Sequence, residues 1–264
     1  MKATEARLLD FLKKSPQFII PIYQRTYSWV ESECQQLWDD IIRTGQEDDI
    51  SAHFVGSIVY IEKGLYQVSS QSPLLVIDGQ QRLTTASLIL EALAQGLGDT
   101  EPLEGFSAKK IRNYYLLNPL EDDEKRYKLL LTQTDKQSLL ALVDQKPLPA
   151  EHSLRLKENY AFFKDKIKKL NGEFVSLCKG LAKLVIVDIS LSRDQDNPQL
   201  IFESMNSTGR ELSQADLIRN FILMGLDPGH QEQLYNDHWR PGVMNLSLKQ
   251  RGGVDPVFVP YRQV

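Results

Sequence analysis

The chain has 264 residues, 42% of them hydrophobic and 25% charged, with a formal net charge of −4. That is enough apolar content for a full core in one large domain or two small ones, and it excludes the overall basic charge that would by itself mark a nucleic-acid binder. Two cysteines without metal-ligand spacing (Cys34, Cys178), four scattered histidines without HExxH and no apolar run of spanning length exclude a zinc motif, a His-based nuclease motif and a membrane-spanning helix, and they fit a reducing cytoplasm.

Residues 4–13 read as a short helix with Leu8, Leu9 and Leu12 on one side, and the charges at Glu5, Arg7 and Asp10 exclude a signal peptide. Residues 17–20 read as extended and end at Pro21, after which residues 22–27 form a polar, aromatic loop. A helix starts near Ser28, where Ser28-Trp29-Val30-Glu31 has the form of a capping box, and carries Leu37, Trp38, Ile41 and Ile42 to about Gly45. Residues 54–61 read as a strand and 65–68 as its hairpin partner.

Residues 74–85 are the most informative stretch. Leu74-Leu75-Val76-Ile77 is a buried strand, Asp78-Gly79-Gln80-Gln81 a polar joint, and apolar residues at Leu83, Ala86, Leu90 and Leu93 have helical spacing. Two readings of the joint stand side by side. In one, Asp78 and Gln81 form a capping box and Gly79 permits a tight turn. In the other, backbone N–H groups and the positive end of the helix face a phosphate. Arg82 fits the second better, since a cation in the first turn is unfavourable unless an anion offsets it.

From about residue 106 to 180 the pattern is mainly helical, with a short strand expected over 126–131 and a lysine cluster at Lys164, Lys166, Lys168 and Lys169 that reads as a solvated helix face rather than a phosphate contact. Residues 184–189 form a β-branched strand that returns the chain to the first sheet. A helix starts near Pro198, a polar turn follows at residues 206–209, and a capped helix starts at Ser213 and carries Leu217, Ile218, Phe221, Ile222 and Met224. Residues 230–239 read as a last helix; after Pro241 periodicity is lost, as in a linker or the start of a further domain.

Two more segments have the composition of ligand sites. Tyr23, Gln24 and Arg25 read as exposed just after a strand, with packing of Tyr23 and Tyr27 as the structural alternative. Asn206, Thr208, Arg219 and Asn220 surround an apolar helix pair, which calls for a ligand or a buried hydrogen-bond network.

Residues 21–25 (Pro-Ile-Tyr-Gln-Arg) with Trp29, residues 54–58 (Phe-Val-Gly-Ser-Ile), residues 77–85 (Ile-Asp-Gly-Gln-Gln-Arg-Leu-Thr-Thr) and residues 202–220, in that order and spacing, resemble the N-terminal domain of GmrSD-type restriction proteins over about residues 5–240. The resemblance implies an α+β fold with a ParB/sulfiredoxin-like core of short strands and helices. In this chain residues 1–100 and 183–240 would form that core, with 101–182 as a large, mainly helical insertion and 241–264 as a linker or truncated start of a further domain. In ParB and sulfiredoxin a Gly-x-x-Arg segment at a strand-to-helix joint holds nucleotide phosphates, and Gly79 and Arg82 line up with it.

What the resemblance implies for function is a cytoplasmic, nucleotide-binding and NTP-hydrolysing module of a restriction system that defends against modified phage DNA. In many members a separate His-Asn-His-type nuclease domain cuts the DNA; this chain shows no such motif, so cleavage is not expected of it. The expected catalytic residues are Asp78, Gln81 and Arg82, with Asp78 holding Mg²⁺ or orienting water and Gln81 positioning that water. The expected nucleotide contacts are Tyr23, Gln24, Arg25, Gly79, Gln80, Arg82, Asn206 and Thr208, the last two at the base or ribose. The alternative is a non-catalytic module that recognises DNA or docks a separate nuclease. No membrane partner is expected.

Overall fold

The computed structural model describes residues 1–62, 72–192, 196, 200–201, 214–224, 226 and 228–239, with side chains in 214–224 from 218 onward. In chain order the elements are β1 (Lys2–Arg7), α1 (Leu8–Lys14), β2 (Phe18–Ile19), α2 (Glu31–Gln46), β3 (His53–Glu62), β4 (Leu74–Asp78), α3 (Gln80–Leu97) and α4 (Ala108–Ile111), which runs into a π turn (Arg112–Leu116). A 3₁₀ turn (Asp123–Arg126), β5 (Leu129–Leu130), α5 (Gln133–Val143), α6 (Leu154–Lys169), α7 (Val175–Ala182) and β6 (Leu184–Leu191) follow. Two later helices are α8 (Gln214–Met224) and α9 (Pro228–Leu234), the latter continued by a π turn (Tyr235–Trp239).

The architecture is α+β, as the pattern predicts. Among the described residues six strands form one mixed sheet in the order β1-β6-β3-β4-β2-β5. β3 pairs parallel with β6 and antiparallel with β4, and β4 pairs parallel with β2. The β6 strand does return to the first sheet, beside β3.

The first element differs from expectation. Residues 2–7 are a strand, not part of a helix, because Lys-Ala-Thr-Glu-Ala-Arg offers no apolar stripe for a helix to bury. Its backbone instead pairs along its whole length with β6, from Lys2 opposite Ser190 to Arg7 opposite Val185. Charged side chains on such an edge discourage pairing with other chains. The helical stripe at Leu8, Leu9, Phe11 and Leu12 then starts α1.

The helix expected from Ser28 begins at Glu31 instead, with the Glu33 carboxylate accepting the Val30 N–H at 2.7 Å. The expected hairpin partner at 65–68 and the helix start near Pro198 lie outside the described residues. The short strand expected over 126–131 is β5, preceded by the 3₁₀ turn.

Helix α3 is buried on every side from Leu83 to Ala94, the behaviour of a central helix rather than a surface one. It packs against α6, and α2 packs against α7. At the second contact the backbones nearly touch: a Cβ on Gly45 would lie 1.8 Å from the Ser176 carbonyl oxygen, and one on Gly180 1.9 Å from that of Ile41. The 101–182 segment is mainly helical, and its apolar residues (Leu139, Leu156, Phe163, Leu177) join the same core as Phe18, Val76 and Leu90.

By contacts the chain divides into two units, Met1–Pro21 with Arg25–Met205, and Ile22–Gln24 with Asn206–Val264. Among the described residues of the second unit, Tyr23, Leu223 and Tyr235 form a small core with Ile22, Met224 and Trp239 around them. No helix among the described residues is long and apolar enough to cross a membrane.

Candidate functional site

Strand β4 delivers the chain to the joint, and Gly79 makes the turn. Its φ of 99° is left-handed, open to glycine and strained for other residues. The space is closed as well: a Cβ there would lie 3.0 Å from Ile58 Cγ1 and 3.1 Å from the Ser57 carbonyl on β3. Gly79 is itself the N-cap of α3, and no side chain caps the helix, so the Asp78–Gln81 capping box does not form. The N–H groups of the first turn therefore have no intrahelical acceptor.

Asp78 turns to Arg82 instead, with Arg82 Nη2 donating to its Oδ2 at 2.8 Å across one helical turn. This pair supplies from within the chain the anion that Arg82 needs at the positive helix end, as a purely structural joint would. It leaves much of the guanidinium unused: Arg82 Nε is buried and has no hydrogen-bond partner. Arginine carries five donors, and a buried N–H without an acceptor is unfavourable.

Under the guanidinium lies Gly56. A Cβ at this position would sit 2.6 Å from Arg82 Nη1. Gly56 has φ 112° and lies where the pairing of β3 with β6 shifts register between Phe54 and Ser57. The bulge thus opens the floor on which Arg82 rests. Sequence reasoning gave Gly56 no role, although an isolated glycine inside a strand pattern is the signal for such a close approach.

The two glutamines are committed to the backbone of the loop before α2. Gln80 Nε2 donates to the Arg25 carbonyl at 2.9 Å. Gln81 Oε1 accepts the N–H groups of Ser28 (2.9 Å) and Trp29 (3.3 Å), while its Nε2 donates to the Thr26 carbonyl at 3.4 Å. Gln81 is thus a staple for this loop, which departs from the expected water-positioning role. The staple brings Arg25, 57 residues upstream of Arg82, to the start of the same helix.

Behind the loop is a buried polar network that sequence reasoning missed. The Tyr27 hydroxyl is 2.8 Å from Thr85 Oγ1 and accepts from Asn159 Nδ2 at 3.0 Å. Asn159 also donates to the Trp29 carbonyl at 2.9 Å, and the Tyr27 N–H donates to Asp135 Oδ2 at 2.6 Å. Burial raises the Tyr27 and Asp135 pKa values and pushes the adjacent Cys34 thiol up to about 11. Residues from α2, α3, α5 and α6 thereby hold residues 25–29 in place.

Tyr23 and Gln24, expected to be exposed, are buried at 2% and 6%. They belong to the second unit, where the Tyr23 carbonyl accepts from Arg219 Nε at 2.7 Å. Arg219 and Asn220 are buried too, which assigns their polarity, at least for Arg219, to an internal hydrogen bond. Asn206 and Thr208 lie outside the described residues. Within the lysine cluster Lys169 pairs with Asp165 at 2.6 Å, and Lys166 lies 5.3 Å from the Phe162 ring.

For a cation, Asp78 is the carboxylate at the joint, with one oxygen taken by Arg82. Among the described residues no group of three or more His, Cys, Asp or Glu could hold a metal by itself. A single carboxylate is a fit for Mg²⁺ only where phosphate oxygens complete its shell, since Mg²⁺ is commonly bound through one or two carboxylates plus substrate phosphates.

Fold and site together define a mixed α/β module with a glycine-turned strand-to-helix joint that holds an Asp78–Arg82 ion pair. Residues 8–223 match the family described as GmrSD restriction endonuclease, N-terminal domain, and the chain belongs to that family. It thus carries a domain of restriction endonucleases. No curated protein matches the chain.

Proposed function

We propose that this chain is the cytoplasmic nucleotide-binding module of a restriction system directed at modified phage DNA, and that it hydrolyses a nucleoside triphosphate. The observation that carries the reading is Arg82, a guanidinium with a buried, unpartnered Nε, set over Gly56 and beside the left-handed Gly79 turn. A phosphate at the joint would meet the uncapped N–H groups of the first turn and the donors that Asp78 leaves free. The backbone of Arg25, on the loop stapled there, lies at the start of the same helix. The Gly79-x-x-Arg82 spacing at this joint supports a phosphate cradle like that of ParB and sulfiredoxin, and the sequence has no Walker A motif.

Mg²⁺ would be held by Asp78 together with the phosphates, and would supply neutralisation of the charge that develops in phosphoryl transfer. Asp78 also orients Arg82, so its loss affects both groups. A nuclease domain or subunit is the partner that would cut the DNA.

A panel of nucleoside triphosphates, with Mg²⁺ and with or without modified DNA, tests this reading. Hydrolysis is expected in wild type and absent in Arg82→Ala and Asp78→Ala, with both variants folded by circular dichroism. Equal turnover in all three would sink it.

The commitment of Gln81 to the loop and the internal Asp78–Arg82 pair favour a second reading, in which the same joint binds without turnover. Salt-dependent affinity for modified over unmodified DNA, with no phosphate release, would select it.

A further inference from the structure

A cavity of about 250 Å³ opens beside the joint, inside the first unit. Arg82, Ala86 and Ile89 line it at i, i+4 and i+7, so it runs along one face of α3 for two turns beyond the guanidinium. Its other walls include the apolar Leu37 on α2 and the aromatic Trp29 and Phe54. Phe54 is 60% exposed, a large ring left in water at the border of an apolar cavity.

The charges are arranged unevenly. Helix α2 presents Glu33 and Asp40 to the cavity, seven residues apart and so on one face. Glu33 accepts the Val30 N–H through Oε2, and Asp40 accepts from Arg43 Nη2 through Oδ1 at 2.8 Å and stands 3.5 Å from His53 Nε2 through Oδ2. Arg82 Nε is the donor without a partner at one end of the cavity, and of the two α2 carboxylates that line it Glu33 is the one without a cationic partner among the described residues, so an anion is favoured toward Arg82 and disfavoured beside Glu33. The carboxylates instead suit a neutral ring that carries N–H donors at its edge. Drug-sized ligands occupy about 300–1,000 Å³. The smaller space here is of a size for a single ring system, with a phosphate chain reaching toward Arg82 at its border.

We propose that this cavity is the base subsite of the nucleotide: the nucleobase lies against Trp29 and Phe54, its N–H edge toward Glu33 and Asp40, and its phosphates remain outside at Arg82. This inference rests on the phosphate reading of the joint and adds to it where the base goes. Every nucleobase has an apolar face, and aromatic stacking strengthens binding independently of sequence.

Calorimetry with Mg²⁺ can compare a nucleoside triphosphate with inorganic tripolyphosphate on wild type, Phe54→Ala, Ala86→Leu and Arg82→Ala. Wild type is expected to bind the nucleotide about tenfold or more tighter than tripolyphosphate. Phe54→Ala, at an exposed ring that folding does not need, and Ala86→Leu, which fills the floor, are expected to erase that preference and leave tripolyphosphate affinity unchanged. Arg82→Ala is expected to weaken both ligands together. Equal affinity of wild type for the two ligands, or an unchanged ratio in Phe54→Ala, overturns the base subsite while the phosphate site stands. Failure of wild type to bind either ligand overturns the phosphate reading, and the subsite with it.

Discussion

Arg82 is held by two residues that no cap rule connects to it. Asp78 pairs with one end of its guanidinium and Gly56 leaves room for it. Substituting Gly56 by Ala therefore has two separable effects. The positive φ strains the backbone by about 1–2 kcal/mol, and the new methyl pushes Arg82 off its floor. Gly105→Ala is the control, since its φ is 90° but nothing lies within 4 Å of the added Cβ. Both variants are expected to lower the urea midpoint, Gly56→Ala by more because of the added clash. Only Gly56→Ala is expected to weaken nucleotide binding, by about tenfold, the loss of one charge-assisted hydrogen bond. A matching loss in Gly105→Ala would show that strain, and not Arg82, is responsible.

At the scale of elements, helix pairs are set by small residues and strand ends by charged ones. The α2–α7 contact puts Gly180 against the Ile41 carbonyl, which is backbone and cannot move aside. Gly180→Ala is expected to destabilise the first unit by about 3 kcal/mol, the upper range for overpacking, read as a shifted denaturation midpoint.

Asp144, just past α5, gathers the Tyr127 hydroxyl (3.0 Å), Lys146 Nζ (2.7 Å) and Arg126 Nη1 (3.5 Å) and ties that helix to the segment leading into β5. Burial alone would raise its pKa, but the bonds from Lys146 and Tyr127 and the charge of Arg126 outweigh it and leave the carboxyl below its ordinary value. A depressed folded pKa means stability that is present above the unfolded value of about 3.9 and is lost as pH falls through the folded one. Asp144→Asn is thus expected to destabilise at pH 7, with the deficit shrinking in paired urea titrations as pH falls below the unfolded value and through the folded one.

For the whole molecule, the proposed ligand is a stabiliser of the unit that carries the joint. A nucleotide at a hundred times its dissociation constant adds about 2.7 kcal/mol, roughly a 5–10 °C rise in Tm for a unit of this size. The rise is expected for wild type and absent in Arg82→Ala. A rise retained in Arg82→Ala would locate the nucleotide elsewhere.

The parts of this protein that were legible in the sequence are the local ones. β4, Gly79 and α3 are contiguous, so a strand pattern, a turn residue and a helical pattern defined the joint without further partners. The same holds for α2, α6 and β6, whose periodicity is their own. Tertiary structure decided whatever depends on residues far apart in the chain. β1 is a strand because β6, some 180 residues later, offers it a backbone edge. Gln80 and Gln81 became loop staples because residues 25–29 lie beside α3, and Tyr23 is buried because Leu223 and Tyr235 cover it. Arg82 rests on Gly56 because β3 lies next to β4. Backbone propensity and apolar period act over a few residues, whereas hydrogen-bond partners and steric floors are set by whichever segments the core brings together.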